Sequence, residues 1–177
     1  NIIKEALQCI NNKDYTQPIK PYLRFKDLNN RIIAMPAYLG GKFDIAGIKW
    51  IASFPSNIDR GLPRAHSVLI LNNSTTGEPF TIINTSLLSI FRTVSVSGFL
   101  LEAYLRKRQT PNLHIGIIGM GPIGQFHMDM SETLFGDQIE QYNIFDIRAI
   151  NDSLIPKQCK SKTNIVSNWQ SAYRESD

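Results

Sequence analysis

The run Leu113-His114-Ile115-Gly116-Ile117-Ile118-Gly119-Met120-Gly121-Pro122-Ile123-Gly124 decides the fold. Its first half is the apolar run of a strand buried on both faces, and its second half fits G-x-G-x-x-G. In that pattern the first glycine permits a tight turn, the second lets the backbone approach a pyrophosphate, and the third allows a helix to pack closely. Residues 122–134 continue at helical spacing, with Pro122 in the first turn, where its missing N–H costs little. Residues 140–145 are a second strand. Strand, helix and strand within about 33 residues make a βαβ unit.

Asp146 closes the second strand 22 residues after Gly124. A carboxylate there accepts hydrogen bonds from an adenosine ribose diol, which points to NAD. Arg148 leaves NADP open, and FAD fits less well because the unit lies in mid-chain. A glycine turn alone joins many strands to many helices; the strand, helix, second strand and acid together make Gly119, Gly121, Pro122, Ile123, Gly124 and Asp146 the candidate cofactor residues.

Upstream of this unit, residues 109–112 read as a linker. Before them Thr85 or Ser86 caps a long apolar helix reaching about residue 107, with Arg106, Lys107 and Arg108 at its negative end. Residues 17–84 carry short β-rich runs at 18–25, 31–38, 45–53, 66–71 and 80–83, separated by turn residues at 29–30, 40–41, 59–61 and 76–79. An antiparallel sheet is expected, preceded by an amphipathic helix over residues 1–13. After Asp146 the pattern predicts a helix near 150–159 and a short strand at 164–166. The expected fold is therefore α/β: an antiparallel-sheet domain over residues 1–110, joined by the long helix to the first part of a Rossmann dinucleotide-binding domain over 111–177.

Composition narrows the function. Of the 177 residues 42% are hydrophobic and 19% charged, which excludes a disordered chain. No apolar run in the sequence reaches the roughly 18 residues a membrane span needs, and no signal-peptide pattern opens the chain, so a soluble cytoplasmic protein is expected. The two cysteines, Cys9 and Cys159, support neither a disulfide framework nor a metal site. Residues 1–112 carry 14 Lys and Arg against 7 Asp and Glu, whereas residues 113–177 carry 5 against 8. The basic residues are scattered among strands rather than gathered in a stripe, which suits a small anionic ligand better than nucleic acid. No G-x-S-x-G, H-E-x-x-H or G-K-[ST] occurs, and His66, His114 and His127 show no metal-ligand spacing.

Two cations interrupt apolar runs. Lys49 sits in Gly47-Ile48-Lys49-Trp50-Ile51, and an inward lysine there requires an anion or a catalytic role. Period two puts it on the face opposite Ile48 and Trp50, a face that is either inward or solvated. Arg92, within the long helix, suits a carboxylate or phosphate clamp. Lys20, Arg24, Arg31 and Arg64 are further cations of the same domain.

Gln17-Pro18-Ile19-Lys20, Met35-Pro36-Ala37, Gly47-Ile48-Lys49, Thr76-Gly77-Glu78-Pro79, Arg92-Thr93 and Gly119-x-Gly121 together resemble the ornithine cyclodeaminase/μ-crystallin family, in order and spacing, along nearly the whole chain. Residues 17–24, 31–36 and 47–51 are most similar to its branch in 2,3-diaminopropionate biosynthesis, which serves siderophores. The resemblance implies a substrate and dimerisation domain, a Rossmann domain, NAD, and a homodimer. It implies that Lys20, Lys49 and Arg92 hold a substrate carboxylate, with Lys49 catalytic, and that Arg92 and Thr93 also border the cofactor. For the branch it implies oxidation of N-(1-amino-1-carboxy-2-ethyl)glutamate and hydrolysis of the resulting imine to 2-oxoglutarate and 2,3-diaminopropionate; Arg24, Arg31 and Arg64 would hold the remaining carboxylates. Ornithine cyclodeamination, ketimine reduction and μ-crystallin-like binding are the family's alternatives. The cyclodeaminase glutamate two residues before Met-Pro is Ile33 here, which disfavours cyclisation. Family chains are nearly twice this length, so the chain reads as a fragment, and the catalytic aspartate of cyclodeaminases would fall beyond Asp177.

Overall fold

A computed structural model describes residues 2–108 and 111–177. Its first helix, α1 (Ile2–Asn11), ends where Lys13 takes a left-handed conformation, φ 60°, and Asp14 N–H bonds the Cys9 carbonyl. Strands β1 (Tyr15–Thr16), β2 (Tyr22–Phe25), β3 (Asp27–Leu39), β4 (Ile45–Ser53), β5 (Ala65–Asn73) and β6 (Pro79–Asn84) then form one antiparallel sheet. Its order is β1-β3-β4-β5-β6, and β2 shares the β3 edge with β1. Pro36 sits in the middle of β3 without harm. Ala34 N–H, two residues earlier, donates outward to the Pro21 carbonyl, so the donor missing at Pro36 falls on that same outer edge, between β1 and β2.

The structure departs from the sequence pattern in two places here. Residues 17–21 are irregular, so the strand expected from residue 18 begins only at Tyr22. Asn29 and Asn30, expected in a turn, lie inside β3; the reversal is made at Lys26, φ 52°, between the paired Phe25 and Asp27.

The long helix α2 (Leu87–Leu105) is capped as expected, the Thr85 hydroxyl accepting the Leu87 N–H at 3.1 Å. The chain divides into two compact units, Asn1–Ser89 and Ile90–Asp177, within the first turn of α2. Part of the expected linker, residues 109–110, lies outside the described residues. In the second unit come β7 (Leu113–Ile118), α3 (Pro122–Phe135), β8 (Ile139–Phe145), β9 (Thr163–Ile165) and α4 (Trp169–Arg174). From Ile90 onward α2 packs with these elements. Phe91 meets Phe126 edge to face at 5.5 Å, and a Cβ on Gly98 would stand 2.8 Å from the Met130 sulfur. Leu101 and Leu105 pack on a core of Leu113, Met128, Tyr142, Ile144 and Cys159. By length and mean hydropathy, 1.3, α2 would also suffice to cross a membrane, although Arg92 and Glu102 break its apolar run.

The second sheet is parallel, in the order β7-β8-β9. On β8 the Tyr142 hydroxyl bonds Ser131 and Glu132 of α3, whereas Asn143 bonds the chain after α4. Successive strand residues point to opposite faces, so α3 and α4 cover opposite sides. Gly116 lacks the side chain that would run into the Ala172 carbonyl of α4. Asn143, fully buried, is saturated: its amide donates to Glu175 O at 2.7 Å and Ser176 Oγ at 3.2 Å, and its oxygen accepts from Gln141 and Asn164. Burial raises the Cys159 thiol to about 12, which fits its inert place in the core. The helix expected near 150–159 is two 3₁₀ segments, Asp152–Leu154 and Lys157–Lys162, because Pro156 between them forbids a continuous ladder.

Candidate active site

At the end of β7 the chain reverses through Gly119, whose φ of 104° no side chain tolerates well, and Gly119 N–H bonds Phe145 O at 2.7 Å. Gly121 is the extended N-cap residue of α3 and Pro122 follows; no side chain caps the helix, so its first N–H groups and the positive end of its dipole face outward. A Cβ on Gly121 would meet nothing within 4 Å, which is the open approach a phosphate needs, whereas one on Gly124 would strike the Gly119 carbonyl. Each glycine of the motif thus has its own physical reason, as the pattern predicts. These residues fit a dinucleotide pyrophosphate.

Asp146 lies where the sequence places it, but its carboxylate first serves the protein. Oδ1 accepts Arg148 N–H at 2.9 Å and Oδ2 accepts Met120 N–H at 2.7 Å. Together with Arg148 Nε at 3.5 Å, these donors, the Arg148 amide first, hold its carboxyl below the usual carboxylate range. Oδ2, which accepts a single N–H, keeps a further lone pair for a ribose hydroxyl. A group with a lowered folded pKa stabilises above its unfolded value, near 4, and loses that contribution as pH falls through the folded one. Asp146→Asn should therefore cost about 1–3 kcal/mol at pH 7 in denaturant titrations, and the gap should close in acid.

Arg92 is exposed on α2, and Thr93 beside it is half-buried. Sequence reasoning missed a contact nearby. His127 Nδ1 lies 2.8 Å from the Ile123 carbonyl, which assigns the proton to that nitrogen, and Nε2 then accepts from Ser97 Oγ at 2.8 Å. The imidazole ties α2 to the first turn of α3. Its only sequence signal is a histidine four residues after Ile123. Among the described residues no group of three His, Cys, Asp or Glu is placed to hold a metal.

In the first unit Lys49 pairs with Met35 and Leu69, on the face opposite Ile48 and Trp50 as the alternation requires. Its Nζ donates to Ser89 Oγ at 3.2 Å. The same face holds Arg31, Ile33, Ala37, Gly47 and Leu71, and next to Lys49 lies an open, mostly apolar depression of about 190 Å³. Arg24 lies on β2 with its guanidinium 5.9 Å from the centre of the Tyr22 ring. Lys20 is exposed in the irregular segment before β2. Arg64 is exposed in the loop before β5, where register assigns it no face and its carbonyl accepts Phe54 N–H.

Residues 1–173 match the sequence model of the ornithine cyclodeaminase/mu-crystallin family. The chain belongs to that family. This ornithine cyclodeaminase/mu-crystallin chain is 39% identical over 149 residues to the N-((2S)-2-amino-2-carboxyethyl)-L-glutamate dehydrogenase of Staphylococcus aureus, covering 81% of the chain and 43% of that protein. It thus spans less than half the length of that relative. Among solved family structures, an archaeal alanine dehydrogenase dimer with bound NAD superposes with a TM-score of 0.70 at 28% identity, over 98% of this chain and 46% of that one. The Thermococcus litoralis Delta(1)-pyrroline-2-carboxylate reductase, in complex with NADH and L-proline, gives 0.77 at 22% identity over 98% and 53%, and supports the fold.

Proposed function

We propose that this family member is an NAD-dependent dehydrogenase that oxidises N-(1-amino-1-carboxy-2-ethyl)glutamate. The observation that carries this reading is the 39% identity, over 81% of the chain, to the staphylococcal glutamate-adduct dehydrogenase. Gly119, Gly121, Pro122, Ile123 and Gly124 seat the pyrophosphate, Asp146 takes the ribose, and Arg92 and Thr93 border the cofactor. NAD held there would supply the acceptor for the hydride on the glutamate α-carbon. Lys20, Lys49 and Arg92 hold the adjoining carboxylate, and Arg24, Arg31 and Arg64 are the cations available to the other two. Water then cleaves the C=N bond, giving 2-oxoglutarate and 2,3-diaminopropionate. Oriented cations lower the cost of bringing a polyanion to the cofactor. We assign to Lys49 the proton that must leave the amine, a step for which its amino group is uncharged.

A cytoplasmic homodimer completes the proposal, following the dimeric archaeal relative. Cyclisation of ornithine is disfavoured by Ile33, which is buried on the Lys49 face and offers no carboxylate there. The second reading is an alanine dehydrogenase, favoured by 31% identity to the enzyme of Archaeoglobus fulgidus over 84% of the chain. The full-length protein with NAD and the glutamate adduct should produce reduced nicotinamide and 2-oxoglutarate in equal amounts. Turnover of L-alanine with none of the adduct would favour the second reading.

A further inference from the structure

Strands β2 and β3 carry two arginines, Arg24 and Arg31, along one edge of the sheet. Tyr22 stands opposite Ile33 and Leu23 opposite Ile32, while Phe25 stands opposite Asp27, so Arg24 falls in the irregularity across from residues 28–31 of β3. Tyr22 shares the face of Ile33, and the Arg24 guanidinium lies over the Tyr22 ring, which keeps it on that side. Arg31, two residues before Ile33, is on the same face, as is Met35, the partner of Lys49. Like charges across neighbouring strands repel. Asp27, the nearest acid in sequence, is turned to its own chain and accepts Asn29 N–H at 2.9 Å. Arg31 Nε is shut off from water and has no hydrogen-bond partner among the described residues. Two guanidiniums on one sheet edge, one of them with a buried donor that no protein acceptor answers, offer charge-assisted hydrogen bonds suited to a carboxylate.

Along β3 Arg31 lies four residues from the Lys49 row, about 13 Å at strand rise. The floor between them is Ile33 opposite Ile51, with the buried, polar Ser67 alongside. Resting on the dehydrogenase reading above, we infer that Arg24 and Arg31 form a second carboxylate subsite, so that the enzyme selects amino acids bearing a further carboxylate on a flexible carbon chain. Lys49 takes the carboxylate beside the reacting carbon, the methylenes cross the isoleucine floor, and the arginine pair takes the distal carboxylate. Arg64 has no part in this arrangement.

The test uses the full-length protein and the variants Arg31→Met, Arg31→Lys and Arg24→Met. For the glutamate adduct, Arg31→Met should raise KM about tenfold or more, with a smaller change in kcat, and Arg31→Lys should recover part of the loss. Arg24→Met, at an exposed position, gives the same direction if Arg31→Met does not fold. By calorimetry, the preference of the wild type for glutarate over butyrate should vanish in both methionine variants. Adduct turnover with unmoved KM in the variants would overturn the subsite and leave the proposed function standing. A wild type that does not turn over the adduct, yet loses its glutarate preference in the variants, would overturn the function and uphold the subsite.

Discussion

In the full-length protein, Gly121→Ala should weaken NAD binding roughly 10- to 100-fold, the worth of one charge-assisted hydrogen bond, while its thermal midpoint stays within about 2 °C. The two effects separate because of where a methyl group would go. At Gly121 the backbone is extended, φ −68° and ψ −179°, which alanine adopts freely, and no protein atom stands within 4 Å of the added carbon. Only a ligand would notice it. Gly124→Ala has the opposite character: its methyl would collide with the Gly119 carbonyl, so the helix must lift from the turn. We expect about 1–3 kcal/mol of lost stability together with lost binding. Calorimetric unfolding and NAD titration of the two variants check this. An equal drop in midpoint for both would mean that the outward space at Gly121 is not the phosphate approach.

Lys49→Met should lower kcat/KM for the adduct by about 10² to 10⁴, the range for removal of a positioned proton-transfer group, with NAD affinity changed less than about threefold. The substitution keeps the length of the side chain among Met35, Leu69 and Leu71, so the sheet face accepts it; what disappears is the charge and the bond to Ser89. Stopped-flow and steady-state rates with NAD saturating give the number. A variant with full turnover would remove Lys49 from catalysis and leave the sheet face a binding surface only.

The part of the molecule most legible in its sequence was the segment from Leu113 to Asp146. There, apolar runs, three glycines with distinct duties and a carboxylate at the strand end all point one way, and the observed elements begin and end within a residue of the pattern. That Lys49 lies opposite Ile48 and Trp50 was equally legible, because alternation along a strand is strict, but whether that face is inward was not. What remained hidden depends on contacts distant in sequence or on unusual backbone. The reversal at Lys26 uses a left-handed lysine where a pattern search expects glycine or asparagine, so the Asn29-Asn30 pair misdirected the turn and the shared sheet edge of Arg24 and Arg31 could not be foreseen. The brief β1 has no periodicity. α4 is announced only by Asn168, whose side chain accepts Ser171 N–H. Similarly, the Ser97–His127 bond depends on the packing of two helices around Gly98.

The saturation of Asn143 bears on the order in which the protein is assembled during synthesis. Its amide stays unsatisfied until Asn164, Glu175 and Ser176 have all left the ribosome, so the parallel sheet cannot close cooperatively while its first strands wait in the exit vestibule. The antiparallel sheet needs nothing from that late segment for its own ladders. Translation should therefore release a folded leading half trailed by an open nucleotide half, and chaperone attachment sites should concentrate on the latter.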